Sequence, residues 1–144
     1  MNREILFRAK HIHAMDSNEH LDGTWVHGYL SDKNYINDKS LEGEFLVDEN
    51  TICQYTGLTD KNGKKIFEGD IVRYVEICGE VKFGLHESNW QICKYNQGFY
   101  IEFPEESLYR KELGYWENKV VVIGNIYDSP KLLEDEENKH GKDI

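Results

Sequence analysis

Apolar and polar residues alternate in short stretches along this chain, with a period of two rather than 3.6, so the chain is expected to be built from β-strands. Glu4 to Ala9 puts Ile5, Phe7 and Ala9 on one face and Leu6 and Arg8 on the other. Thr24 to Leu30 resumes the pattern, with Trp25, His27 and Tyr29 opposite Val26, Gly28 and Leu30, and Gly28 marks a bulge or a close backbone approach. Gly43 to Val47 and Asn50 to Thr56 form two more strands about an Asp48-Glu49-Asn50 turn. Between these stretches lie two polar ones: residues 10–23, expected as a loop or extended hairpin ending at Asp22-Gly23, and residues 31–42, expected as a long surface loop.

The densest signal is Gln54 to Tyr74, QYTGLTDKNGKKIFEGDIVRY. Asp60-Lys61-Asn62-Gly63 has an Asx-capable residue first and glycine fourth, which predicts a tight turn closing a hairpin. Phe67-Glu68-Gly69-Asp70 supplies a second reversal, with Gly69 where a side chain would clash. Asp60, Asn62, Gly63, Gly69 and Asp70 are thus expected as structural turn residues. Ile71 to Ile77 follows as a strand, and Cys78-Gly79-Glu80 reads as the turn into another, in which Val81, Phe83 and Leu85 form the apolar face. Trp90 to Tyr95 and Gly98 to Phe103 continue the meander through an Asn96-Gln97-Gly98 connection. Residues 105–118 suit one helical turn and a loop, with Gly114 as a stop. Lys119 to Tyr127 is the most continuous apolar run and predicts a strand buried on both faces. Ser129-Pro130 opens a short terminal helix, followed by a disordered acidic tail.

Composition narrows the function more than it defines it. The 144 residues carry a formal charge of −10, and each half of the chain carries −5. No segment is basic enough to neutralise a run of phosphates, which disfavours direct nucleic-acid binding, although a folded surface can still gather scattered Lys and Arg into one patch. Cys53, Cys78 and Cys93 are odd in number and spaced unlike a disulfide framework or a metal knuckle, which fits a reducing cytoplasm. No apolar run reaches the roughly 20 residues of a membrane span, and the start lacks a leader's apolar core.

The hairpin QYTGLTDKNGKKIFEGDIVRY, the start REILFRAK, the segment GTWVHGYL and the ending VIGNIYDSPKLLE together resemble the YopX family of bacteriophage and prophage proteins. The resemblance covers most of the chain, in the family's order, and is weakest over residues 10–22 and 31–42. It implies a small, mostly β protein with an SH3-like barrel element, encoded among accessory genes of temperate phages and without an established activity. The expected architecture is therefore mostly β, with antiparallel strands, an SH3-like small barrel and a short C-terminal helix. A single domain over 1–144 is expected, with N-terminal strands over 1–50, the barrel-like part over 51–127 and the helix and acidic tail over 128–144.

Two patterns suggest chemistry. Asp70 followed by Glu80-Val81-Lys82 resembles the acid and acid-x-Lys arrangement in which a metal-dependent nuclease holds Mg²⁺ and orients water. His11 and His13, with Asp16, His20, Asp22 and His27 nearby, could complete a zinc site. Each has a simpler reading, as a turn residue, a solvated strand face or loop histidines, and no catalytic, cofactor or metal residue is assigned. No hydrolase, zinc-protease, kinase or dinucleotide motif is present. The aromatic content exceeds what a small barrel buries, and Tyr109, Tyr115 and Trp116 in the least regular segment are the interface candidates. The expectation is a non-enzymatic cytoplasmic module that binds a protein partner or itself, without cofactor or membrane contact. An acidic inhibitor of a host nucleic-acid-binding protein and a nuclease are the alternatives.

Overall fold

Short strands with one apolar face need a partner sheet or a folded-over hairpin to cover that face, and this chain solves the problem in two places. The computed structural model describes residues 5–12, 23–87, 95–104 and 111–133. Its chain divides into two compact units, Met1–Gly57 and Leu58–Ile144.

In the first unit β1 (Phe7–Lys10), β2 (Trp25–Asp32), β3 (Tyr35–Asp38), β4 (Gly43–Leu46) and the first part of β5 (Cys53–Thr59) form a sheet in the order β4-β3-β2-β1-β5. β1 lies between β2 and β5, antiparallel to both, with Ala9 opposite Val26 and Phe7 opposite Gln54. The inward face gathers Ala9, Val26, Ile36, Phe45 and Val47, with Phe7 and Ile52 packed against them. A 3-10 turn at Glu49–Thr51 leads into β5, capped by the Asp48 carboxylate, which accepts from Asn50 N at 3.0 Å. On the outward face the Trp25 indole carries the Arg8 guanidinium at 4.7 Å from its centroid and the Lys10 amine at 5.6 Å, so one of the surplus aromatics is partly covered by its cross-strand cations.

Residues 31–42 are not the long loop their polarity predicts. β2 extends to Asp32, a turn at Lys33-Asn34 follows, and β3 pairs back onto it with Leu30 opposite Ile36. Ile36 is the one side chain here that the core takes, and it is wholly buried. The next polar residues are held by the buried Asp38 carboxylate, whose oxygens accept from His27 N at 2.9 Å, Ser40 N at 2.9 Å and Ser40 Oγ at 2.6 Å. Burial pushes this carboxyl up, but the Ser40 hydroxyl and the N–H groups of His27, Leu41 and Ser40 outweigh that and hold it below the usual carboxylate range.

β5 continues past Gly57 into the second unit, where β6 (Lys65–Phe67) flanks it. There β7 (Asp70–Tyr74), β8 (Ile77–Glu87), β9 (Tyr95–Glu102) and β10 (Val121–Asn125) form an antiparallel sheet in the order β10-β7-β8-β9. Between β9 and β10 a single helical turn, α1 (Leu113–Trp116), folds over the core. That core is Ile66, Val72, Val81, Ile101, Phe103, Leu113, Trp116, Val120 and Val122. The fold is mostly β, in two open antiparallel sheets with small helices, and no closed barrel is found among the described residues.

Both glycine-enabled reversals form, with Gly63 at φ +82° and Gly69 at φ +88°. The predicted strand Ile71 to Ile77 is broken one turn early, however, at Val75-Glu76. Val75 sits at φ +57° with 76% of its surface exposed, a conformation that costs a β-branched residue about 1–2 kcal/mol. Gly79, read from sequence as a turn, lies inside β8 because a Cβ there would stand 2.6 Å from Ile101 Cγ2 and 3.0 Å from the Glu102 carbonyl. It is a packing glycine. Asn96-Gln97-Gly98 likewise lies within β9 rather than in a connection. β10 is an edge strand, not the middle of the core, and only Val122 within it is buried. Gly114 lies inside α1 rather than ending it. Pro130 leads into one helical turn at 131–133; the predicted tail, Cys93 and Trp90 lie outside the described residues.

Candidate interaction surfaces

Asp60 organises one end of the second unit. Its carboxylate is 1% exposed; Oδ1 accepts from Asn62 N at 2.9 Å and Lys64 N at 2.8 Å, and Oδ2 accepts from Val122 N at 2.9 Å. The first two bonds make the turn that the sequence predicts. The third spans 62 positions and puts a side-chain oxygen where a neighbouring strand would offer a carbonyl. Lys61 N donates to Val120 O at 2.8 Å and Asn118 N to Thr59 O at 3.2 Å, so the turn is laced along the outer edge of β10. An edge strand that would template association is thereby covered over residues 118–122. Burial pushes the Asp60 carboxyl up, but the N–H groups of Val122, Lys64 and Asn62, helped by the Lys64 charge, hold it below the usual range.

Asp70 works similarly at the next reversal. It is 1% exposed and accepts from Phe67 N at 2.8 Å, while Gly69 N donates to Val81 O at 2.8 Å. Glu80, which the nuclease pattern would join to it, is the cross-strand partner of Ile71. Cross-strand partners share a face, so Asp70, one residue out of phase, points to the other side of the sheet. Lys82 is ion-paired with Glu102 rather than directed at a shared cation. Glu80 is pushed up by burial, then lowered by Lys82 and raised by Glu102, directly opposite, and Glu68. With its folded pKa raised, the ionised carboxylate costs stability at neutral pH, and the cost is relieved as pH falls through that pKa. Glu80→Gln is therefore expected to raise stability at pH 7 by about 0.2–1 kcal/mol and to lose that advantage in mild acid, read by urea unfolding at both pH values.

Of the histidines, His11 and His27 lie on opposite faces of the sheet. His11 is buried against the Phe45 ring, and its Nδ1 donates to Leu46 O at 2.8 Å. His27, opposite Arg8, lies on the other, exposed face of the sheet. His13, Asp16, His20 and Asp22 lie outside the described residues, and no group of three metal-ligating side chains occurs among the described ones.

Of the aromatic candidates, Tyr109 lies outside the described residues. Trp116 is 3% exposed, and its ring packs on Tyr74 at 4.9 Å and Phe103 at 5.3 Å, so it belongs to the core. Tyr115 is 39% exposed, edge-on to Trp116, with the Lys119 amine 4.6 Å over its ring and donating to the Tyr115 carbonyl at 2.8 Å.

The clearest exposed apolar surface among the described residues lies on the apolar face predicted for Val81, Phe83 and Leu85. β8 is 11 residues long, but β7 pairs with it only from Ile77 to Glu80, and from Lys82 onward the strand that β8 is paired with is β9. Val81, Phe83 and Leu85 do share a face, yet Val81 alone is buried, while Phe83 is 50% and Leu85 65% exposed. Across the ladder stand Ile101, Phe99 and Gln97, with Phe83 and Phe99 in edge contact at 4.9 Å. From Val81 to Leu85 and from Gln97 to Ile101 this face carries no charged residue. The overhang follows from the mismatch in length between five-residue β7 and eleven-residue β8, which the sequence reading of one strand from Ile71 to Ile77 does not contain.

A family model described as "YopX protein" matches residues 6–134. A search of curated proteins returns no match.

Proposed function

The chain belongs to the YopX family, and on that footing we propose that it is a non-enzymatic accessory protein of a phage or prophage, acting in the host cytoplasm as a protein-binding β module. The observation that carries the reading is the β8–β9 arm. Exposed apolar surface in a chain of net charge −10 is retained against solubility, and a charge-free strip flanked by polar positions is the usual anatomy of a protein contact. An apolar strip also complements itself, so two copies related by a twofold axis are the simplest assembly that covers Phe83 and Leu85. The second unit, with its laced hairpin, carries the SH3-like part of this reading.

Sedimentation equilibrium tests it. The full chain is expected to self-associate, and Phe83→Ser with Leu85→Ser to weaken the association by about tenfold or more without loss of fold, since both side chains are already largely exposed. A chain that stays monomeric up to about 100 μM overturns the self-assembling form of the proposal.

A further inference from the structure

The fold laces one of its strand edges, along β10, to the Asp60 turn and leaves another open. On its β7 side, β8 is covered as far as Val81, whose carbonyl accepts from Gly69 N at 2.8 Å. The N–H and C=O of one strand residue point the same way, and successive residues alternate between the two sides. The β8–β9 register runs without a shift from the Glu80–Glu102 pair to the Glu87–Tyr95 pair, so Phe83 and Leu85, in phase with Val81, turn their N–H and C=O groups away from β9. Ile101, opposite Val81, fits the same phase, since its N–H donates away from β8 to Lys111 O at 2.8 Å. Among the described residues nothing accepts from Phe83 N or Leu85 N. The same two residues carry the exposed apolar side chains of the arm.

We infer that this edge pairs antiparallel with the same edge of a second copy, so that two arms join into one continuous ribbon in the order β9-β8-β8-β9. The twofold axis stands perpendicular to the ribbon. Each free N–H then meets a carbonyl of the other strand, and Phe83 and Leu85 of both copies lie on one face, where they shield each other from water. The edge lacks the devices that hold strands apart: from Val81 to His86 there is no proline and no carboxylate, in a chain with 27 acidic residues. Lys82, the formal charge in that run, is ion-paired with Glu102 within its own arm. Two chains of net charge −10 thus meet along a line that sets no acid against acid. An extended segment of another protein would need the same apolar alternation to bury Phe83 and Leu85, and a second copy supplies it. The pairing rests on the reading of the β8–β9 arm as a contact between copies and specifies its form, because a face-to-face stack of the two strips would cover the same side chains and leave both edges bare.

Amide exchange of the isotope-labelled full chain, followed by NMR at about 1 mM and about 50 μM, separates the two arrangements. The Phe83 and Leu85 amides are expected to exchange about tenfold more slowly at the higher concentration, while those of Gln97 and Phe99, which face away from β8 on the far side of β9, change little. Sedimentation of Leu85→Pro against Leu85→Ala gives a second reading. Proline there removes an N–H that the ladder with β9 does not use, so it is expected to weaken association by about tenfold beyond alanine. Association without selective slowing at Phe83 and Leu85 overturns the edge pairing and leaves the strip contact standing, whereas a chain that stays monomeric overturns both. Slow exchange of the two amides at both concentrations places their acceptor within the chain and also overturns the pairing. A peptide spanning Glu80–Glu87 is expected to compete for the edge and an alternating Val-Thr peptide of the same length is not; equal competition overturns the choice of a second copy as the occupant.

Discussion

Replacing Asp60 by alanine is expected to cost about 3–5 kcal/mol of folding stability, a large share of what a domain of this size holds. The carboxylate is buried and accepts three backbone N–H bonds of 2.8–2.9 Å, two within its own turn and one from Val122. Alanine leaves those donors without an acceptor and opens the lacing of the β10 edge, so loss of the hairpin and loss of the edge strand coincide. Asp60→Asn keeps one oxygen but turns an NH₂ toward an N–H, so it must give up either the turn or the Val122 bond, and about 2 kcal/mol is expected. The pH dependence carries the same signature. Because the folded pKa is lowered, the stabilisation is present above the unfolded value of about 3.9 and is lost as pH falls through the folded value. Urea midpoints from pH 7 downward should show the wild type losing stability in acid more steeply than Asp60→Asn. Parallel curves would mean that the carboxylate's charge is not what the three N–H groups recognise.

What was legible in this sequence was local chemistry. The Asp60 and Gly69 reversals were readable because each is written within four residues, and the alternation of apolar positions located most of the strands. Three features were not, and each depends on a partner that sequence does not display. Gly79 and Gly98 carry turn composition but occupy strand positions, and only the closeness of Ile101 explains the first. Residues 31–42 are too polar to predict strands, yet one buried isoleucine and one carboxylate with four donors fix them. Phe83 and Leu85 alternate like core residues, and what removes them from the core is the length of the strand opposite. The functional surfaces follow the same division. Asp60 was visible as a turn residue, but its bond to Val122 was not, because it unites segments some 60 positions apart.

Gly28→Ala should be the most damaging small substitution in the first unit, at about 3 kcal/mol or more. An added Cβ would lie 1.8 Å from the Asn37 carbonyl oxygen and 2.8 Å from its carbon, both backbone atoms of β3, with Ile36 Cγ2 at 3.3 Å. No rotamer relieves a backbone contact, so β3 must move away from β2. That close crossing also delivers the next residue: past the pairing of Tyr29 with Asn37 the ladder gives way, and the Asp38 carboxylate accepts from His27 N in place of a carbonyl. Gly28 and Asp38 are two halves of one device, in which the missing side chain lets the strand approach and the carboxylate satisfies the donor the approach leaves over. Their losses should therefore not add. Asp38→Ala is expected to cost about 2–4 kcal/mol alone and clearly less in the Gly28→Ala background, measured by urea unfolding as a double-mutant cycle. Gly114→Ala is the control, since nothing lies within 4 Å of a Cβ there and alanine in α1 should be neutral or slightly stabilising. If the Gly28 and Asp38 losses add in full, the carboxylate holds its turn without help from the strand crossing, and the coupling proposed between them is absent.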